Sequence, residues 1–264
     1  MKELKTYVTL LMYAMLFIGC ATTGSNKTAK FTGDEKFIMF HGVPVPVSDQ
    51  QKRDILASEY VTINGKTYTI GYHTIMRSGD TVGSGVYAKI LDQDGNPVVE
   101  ADGSEFISNS NDFSSLLPIG NELYSVSHLE SRPGAMYLTK LNQDPATGKI
   151  TAVSTQNVDF SQWHGLWVPC AGSVTPWNTH LGSEEYPPDG RAIAEVTSMS
   201  DVDDYWKPMA RYFGIKDPFS DSVSIDEFKA VFNPYFWGFA TEVAVKKGGS
   251  YEVTKHYAMG RADM

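Results

Sequence analysis

From residue 37 onward, apolar side chains tend to recur at every second position, in short stretches broken by Gly, Asn, Asp and Pro. That period puts alternate side chains on opposite faces of a strand. Residues 59–72 read as a hairpin in which Tyr60, Ile63, Tyr68 and Ile70 flank Asn64-Gly65, a pair suited to the type I′ turn. Residues 37–47 carry Pro44 and Pro46 and so predict an edge strand; residues 50–58 allow at most a short helix. A second hairpin is predicted with a strand over 86–91, a turn at Asp92-Gln93-Asp94-Gly95 and a return from Pro97. Further strands are predicted over 114–117, 123–128, 136–141, 150–158, 166–168, 174–181, 236–245 and 251–258. Short strands with turn signals between them indicate an all-β fold, a sandwich or a propeller. One insertion, at about residues 201–232, breaks the pattern. Its first helix is predicted over 201–213 and stops at Gly214. Its second starts at Ser224, with Glu227 three residues on as a capping box.

The first residues change the setting. Lys2 and Lys5 precede an apolar run over 7–18, and Phe17-Ile18-Gly19-Cys20 follows. The run is too short for a comfortable membrane span and reads as a signal peptide over 1–19. Its end resembles a bacterial lipobox, which makes Cys20 the lipidation site and residues 20–33 a tether. The expected location is therefore the bacterial cell envelope, with the chain anchored to the membrane by lipid and residues 34–264 forming the folded domain. The formal net charge of −9 over 264 residues excludes the basic face that non-specific nucleic-acid binding needs.

With Cys20 lipidated, Cys170 is the remaining thiol of the two cysteines. It lies in residues 169–189, a run that also holds Gly172, Thr175, Trp177 and the adjacent Glu184 and Glu185. A thiolate is a soft metal ligand and carboxylates are hard ones, so this run can serve a transition metal and calcium side by side. A buried, inert cysteine is the plain alternative. Neighbouring strand residues point to opposite faces, so only one of Glu184 and Glu185 can face a site unless the strand ends or bulges there. Other motifs fail. His164, Cys170 and His180 match no zinc spacing, and Ser173 lacks the glycine of a nucleophile elbow. The Asp92–Gly95 turn and residues 217–227 lack the spacing of a calcium loop.

The run from Pro169 through Glu185 resembles the signature of the PhoX-type alkaline phosphatase family. Tyr235-Phe236-Trp237-Gly238-Phe239-Ala240-Thr241-Glu242 and His256-Tyr257-Ala258-Met259-Gly260-Arg261 resemble two further segments of that family, in the same order, so the likeness covers about residues 113–261. The resemblance implies a β-propeller whose channel holds iron and calcium, and hydrolysis of phosphate monoesters. It implies metal-binding roles for Cys170, Glu185 and Glu242, with Cys170 and Glu242 at the catalytic centre; Glu184, adjacent to Glu185, is a further candidate metal ligand. By its own chemistry Arg261 can contact phosphate, with a solvated surface arginine as the plain alternative. His128 and Glu130 are set beside a His–Glu pair of the family. Family members are considerably longer, so the expected fold is a partial, incomplete β-propeller. It is the front of a split or prematurely ended gene, or it is completed by a second chain. A non-catalytic envelope lipoprotein, serving as a binding or structural module, is the alternative reading.

Overall fold

The structure, a computed structural model, describes residues 37–52 and 57–261. The expected signal peptide and tether, with Cys20, lie outside the described residues, as does part of the short-helix expectation over 50–58. Strand makes up 36% and helix 14%, so the fold class is all-β. The chain divides into two compact units, one ending at Tyr72 and one starting at His73.

In the first unit, β1 (Ile38–Phe40), β2 (Tyr60–Ile63) and β3 (Lys66–Thr69) form an antiparallel sheet in that order. Asn64 and Gly65 sit at φ of 50° and 80°. A type I′ turn demands positive φ at both positions, and Asn-Gly tolerates it best. The edge strand is shorter than residues 37–47. Pro44 and Pro46 lack the N–H that would extend the ladder.

The second unit opens with a small hairpin, β4 (Thr81–Val82) and β5 (Gly85–Val86). The strand predicted over 86–91 does not form as one piece. Ala88 turns to φ 68°, and the chain instead pairs through single bridges, Lys89 to Ile107, Leu91 to Pro97 and Val99 to Glu105. Two four-stranded antiparallel meanders follow. The first runs β6 (Asn111–Ile119), β7 (Glu122–Leu129), β8 (Ala135–Gln143) and β9 (Ile150–Asn157). The second runs β10 (Pro169–Val174), β11 (His180–Glu184), β12 (Ala240–Val245) and β13 (Tyr251–Lys255). Only two four-stranded sheets form among the described residues, because residues 87–107 pair only through bridges. Residues 174–181 are also not one strand. Thr175 and Thr179 close a turn through Thr175 N–H to Thr179 O at 2.9 Å, so the signature stretch is itself a hairpin.

The two meanders share a core. Leu117, Tyr124, Val126, Met136 and Leu138 of the first pack with Val243 and Val245 of the second, around Val158, Phe160 and Leu166. Each fully buried side chain of this size contributes about 1.5–3 kcal/mol. Between β11 and β12 lies the helical insertion: α1 (Gly190–Glu195), a 3-10 helix over Lys207–Phe213 and α2 (Ile225–Val231). Ser224 accepts from Glu227 N–H at 3.1 Å, the capping bond read from the sequence. The helix predicted over 201–213 is the 3-10 helix, ended by Gly214 at φ 92°. Met209, Phe228 and Phe232 of the insertion bury Trp167 and Trp237, which fixes the insertion against the start of β10.

Candidate metal centre

The two meanders place four side chains at equivalent positions. Asp112 is the second residue of β6, and Glu130 is the first residue after β7. Cys170 is the second residue of β10, and Glu185 is the first after β11. Each pair of strands is antiparallel, so the start of the first strand lies beside the end of the second. The sheets bring these two ends together. Cys170 Sγ–H donates to Asp112 Oδ2 at 3.3 Å. Ligand atoms of Asp112, Glu130 and Cys170 all lie within 4.8 Å of one another. The Glu185 carboxylate lies close enough to the Cys170 thiol to add to the negative charge around it. A bulge in β10 between Pro169 and Gly172 re-aims the strand at Cys170, as bulges beside functional sites do.

Close approach of the sheets depends on two glycines. A Cβ on Gly172 would collide with the Phe113 ring, and one on Gly182 would meet His128 Nε2 at 2.7 Å. Behind the site runs a buried relay. His128 Nδ1 lies 2.7 Å from the carbonyl of Cys170, which can only accept, so Nδ1 carries the proton. Nε2 of His128 then accepts from His180 Nε2–H at 2.7 Å, and His180 Nδ1 accepts from the Ser115 hydroxyl at 3.0 Å. Burial depresses both imidazoles, His128 to about 4 and His180 to about 2, so both are neutral and the relay is self-consistent. It ties β6, β7 and β11 to the backbone of Cys170.

Electrostatics describe a site in want of positive charge. Burial, reinforced by Asp112 and Glu185, pushes the Cys170 thiol up to about 12. Burial also raises the pKa of Glu130, and a hydrogen bond with Asp112 and the charges of Asp112 and Glu185 raise it further. Without a cation, the site therefore retains the proton on sulfur, and Glu130 gives up its proton less readily than a free carboxyl. A cation would replace the thiol proton and offset the crowded negative charge. The donor set, one thiol with three carboxylates, suits an ion that accepts sulfur next to one that prefers oxygen. The residues present thus fit a mixed site of the kind implied by the resemblance.

The other sequence-predicted residues lie elsewhere. Glu184 is fully buried on the opposite face of β11. Its Oε1 accepts from Trp167 N–H at 2.9 Å and from Lys255 Nζ at 2.8 Å, and its Oε2 accepts from the amides of Gly238 and Phe239. Those four donors make it a brace that ties the approaches to β10 and β12 to the end of β13, and not part of the cluster. Glu242 pairs with Leu181, four residues before Glu185, which is about 13 Å along the strand. It accepts from Thr179 Oγ1 at 2.5 Å and from Trp177 Nε1 at 2.8 Å, and His256 Nε2 is 2.9 Å away. Burial pushes its carboxyl up, but these hydrogen bonds outweigh that and leave it below its ordinary value. Arg261 donates to the Pro188 carbonyl at 2.8 Å. His128 supports the backbone of Cys170, whereas its companion Glu130 enters the cluster. Asp112 was missed by the sequence reading. It lies 58 residues before its thiol partner, in a stretch of Ser and Asn with no motif.

Comparison with known proteins gives one family. The model described as alkaline phosphatase PhoX matches residues 128–263, just over half of the chain, a span that contains Glu130, Cys170 and Glu185. No curated protein matches, and no solved structure matches.

Proposed function

The chain belongs to the PhoX alkaline phosphatase family, and from that premise we propose that it is a metal-dependent phosphate monoester hydrolase. The observation that carries this reading is the convergence of Cys170, Asp112 and Glu130, with Glu185 beside them, from equivalent ends of two successive sheets. A lone structural cysteine would be surrounded by hydrocarbon; this one faces three carboxylates. Iron and calcium, when bound, supply positive charge against a phosphoryl group that carries two negative charges. The chain's own part is to hold the donors in place. The His128–His180 relay fixes the carbonyl of Cys170, and the two glycines let the sheets close on the site. At alkaline pH the thiol releases its proton most readily, which favours loading of the cations.

We read the two meanders as consecutive blades of a partial propeller whose first strands, β6 and β10, line the inner edge. The repeated positions of the four donors support this, since blades around one axis present equivalent residues to it. A second chain would supply the remaining blades. Export and lipidation at Cys20 belong to the same proposal. They rest on the sequence and are tested by labelling cells with radioactive palmitate, which Cys20→Ala should not incorporate.

The test of the hydrolase is metal analysis of the purified protein with p-nitrophenyl phosphate turnover in added calcium. Iron and calcium should co-purify, and Cys170→Ser and Asp112→Asn should each reduce both metal content and turnover at least tenfold. Glu242→Gln decides whether that carboxylate, held apart by Thr179, Trp177 and His256, takes part as well. A protein with neither metal nor turnover would be a binding or structural module instead.

A further inference from the structure

Arg132 follows Glu130 by two residues, at the end of β7 that carries the site. Its guanidinium carbon lies 3.6 Å from the centroid of the Tyr205 ring, a separation at which cation and ring face stack. The stack covers one face of the guanidinium and does not engage its in-plane N–H groups. Its Nε is buried and has no hydrogen-bond partner. Among the described residues no carboxylate lies within salt-bridge distance of Arg132, although its charge is near enough to Glu130 to offset part of the rise that burial and Asp112 impose there. A buried guanidinium N–H without an acceptor is costly. Here it sits beside a cluster of three carboxylates and a thiol, with Glu130 and Glu185 both close to the supporting Tyr205.

We propose that Arg132 is a phosphate-binding residue of the site, held by Tyr205 so that its N–H edge meets the phosphoryl oxygens of a phosphate monoester. This rests on the phosphatase reading for the identity of the anion. The physical reason is geometric. A planar guanidinium can give two parallel hydrogen bonds to a phosphoryl group, and an aromatic platform fixes its plane before the anion arrives. With the carboxylates engaged by cations, the anion is the acceptor left for the terminal N–H groups of the half-buried Arg132. Tyr205 belongs to the helical insertion, anchored by its edge contact with Trp167 at 5.8 Å. The insertion therefore has a part in substrate binding, beyond covering the core.

Binding of inorganic phosphate to the full chain, loaded with iron and calcium and followed by calorimetry, tests this without requiring turnover. The wild type should bind phosphate. R132M should weaken binding at least tenfold with unchanged metal content and melting temperature. R132K should fall between them, because a lysine keeps the charge but not the fork, and Y205L should show a smaller loss than R132M. Phosphate binding that is equal in R132M and wild type overturns the proposal, as does a wild type that binds no phosphate. Loss of metal in parallel with phosphate overturns it too, since Arg132 would then be a structural partner of the acids. Should R132M not fold, R132K and Y205L decide on the same readout. Arginine-dependent phosphate binding without turnover of p-nitrophenyl phosphate would leave this assignment standing while the hydrolase reading falls. Turnover unaffected by R132M would do the reverse.

Discussion

Replacing Glu184 by glutamine, and separately Glu185 by glutamine, should give opposite phenotypes from adjacent positions. Glu184 and Lys255 are an ion pair at 2.8 Å whose side chains are both 0% exposed. The carboxylate also takes three backbone N–H groups, and Lys255 has only the Phe236 carbonyl, at 3.1 Å, besides it. Burial presses the lysine pKa below its ordinary value and Glu184 opposes that. Glu184→Gln removes the opposing charge, leaves an ammonium buried almost alone and turns an NH2 towards N–H donors. Breaking one side of such a pair costs about 3–5 kcal/mol, a large part of a total stability of about 5–15 kcal/mol. Glu185 is only half-buried and beside the thiol, so Glu185→Gln should shift stability by less than about 0.5 kcal/mol while lowering metal content. Equilibrium urea unfolding followed by circular dichroism and fluorescence, with metal analysis on the same samples, reads both. A double replacement of Glu184 and Lys255 by methionine should not recover this loss, because it removes both desolvated charges but leaves the amides of Trp167, Gly238 and Phe239 without an acceptor. Metal loss from Glu184→Gln with full retention by Glu185→Gln would refute the assignment of the two glutamates.

Three further outcomes follow from the same geometry. Metal loading must displace the proton of Cys170, at about 12; affinity should therefore rise with pH and binding should release a proton, measurable by titration in two buffers of different ionisation enthalpy. In the metal-stripped protein, the folded His128 stays neutral down to about pH 4 while the unfolded chain takes up its proton near 6.5. The unfolded state then binds more protons, so stability should be intact above pH 6.5 and fall by about 3 kcal/mol from His128 alone as the pH drops to 4; a flat unfolding free energy over that window would contradict the buried relay. Gly182→Ala should cost about 1–3 kcal/mol through overpacking against His128 and Met136, seen as a lower urea midpoint, and should reduce metal retention because His128 holds the Cys170 carbonyl.

Local structure was legible in residues that act on their neighbours. Asn64-Gly65 set its turn, Ser224 with Glu227 set a helix start, and alternation marked β6 to β9. Asp189, which caps α1 by accepting from Arg191 and Ala192, was a start signal of the same kind that went unread. Residues 201–213 showed less, because the aromatic side chains that wrap Trp167 and Trp237 satisfy helical spacing whether the turn is α or 3-10.

By itself the sequence determined an all-β chain, a thiol and two glutamates held in one short run, and the family signature they belong to. Alternation along a strand also required that Glu184 and Glu185 part ways. Which of them turns inward was decided by Lys255, 71 residues further along the chain, whose ammonium can be buried only against a carboxylate. The approach of Asp112 and Glu130 to Cys170, and of Tyr205 to Arg132, likewise came only with the tertiary structure. These residues are far apart in the chain and share no motif. What brings them together is the register of two sheets that close on each other where Gly172 and Gly182 carry no side chain.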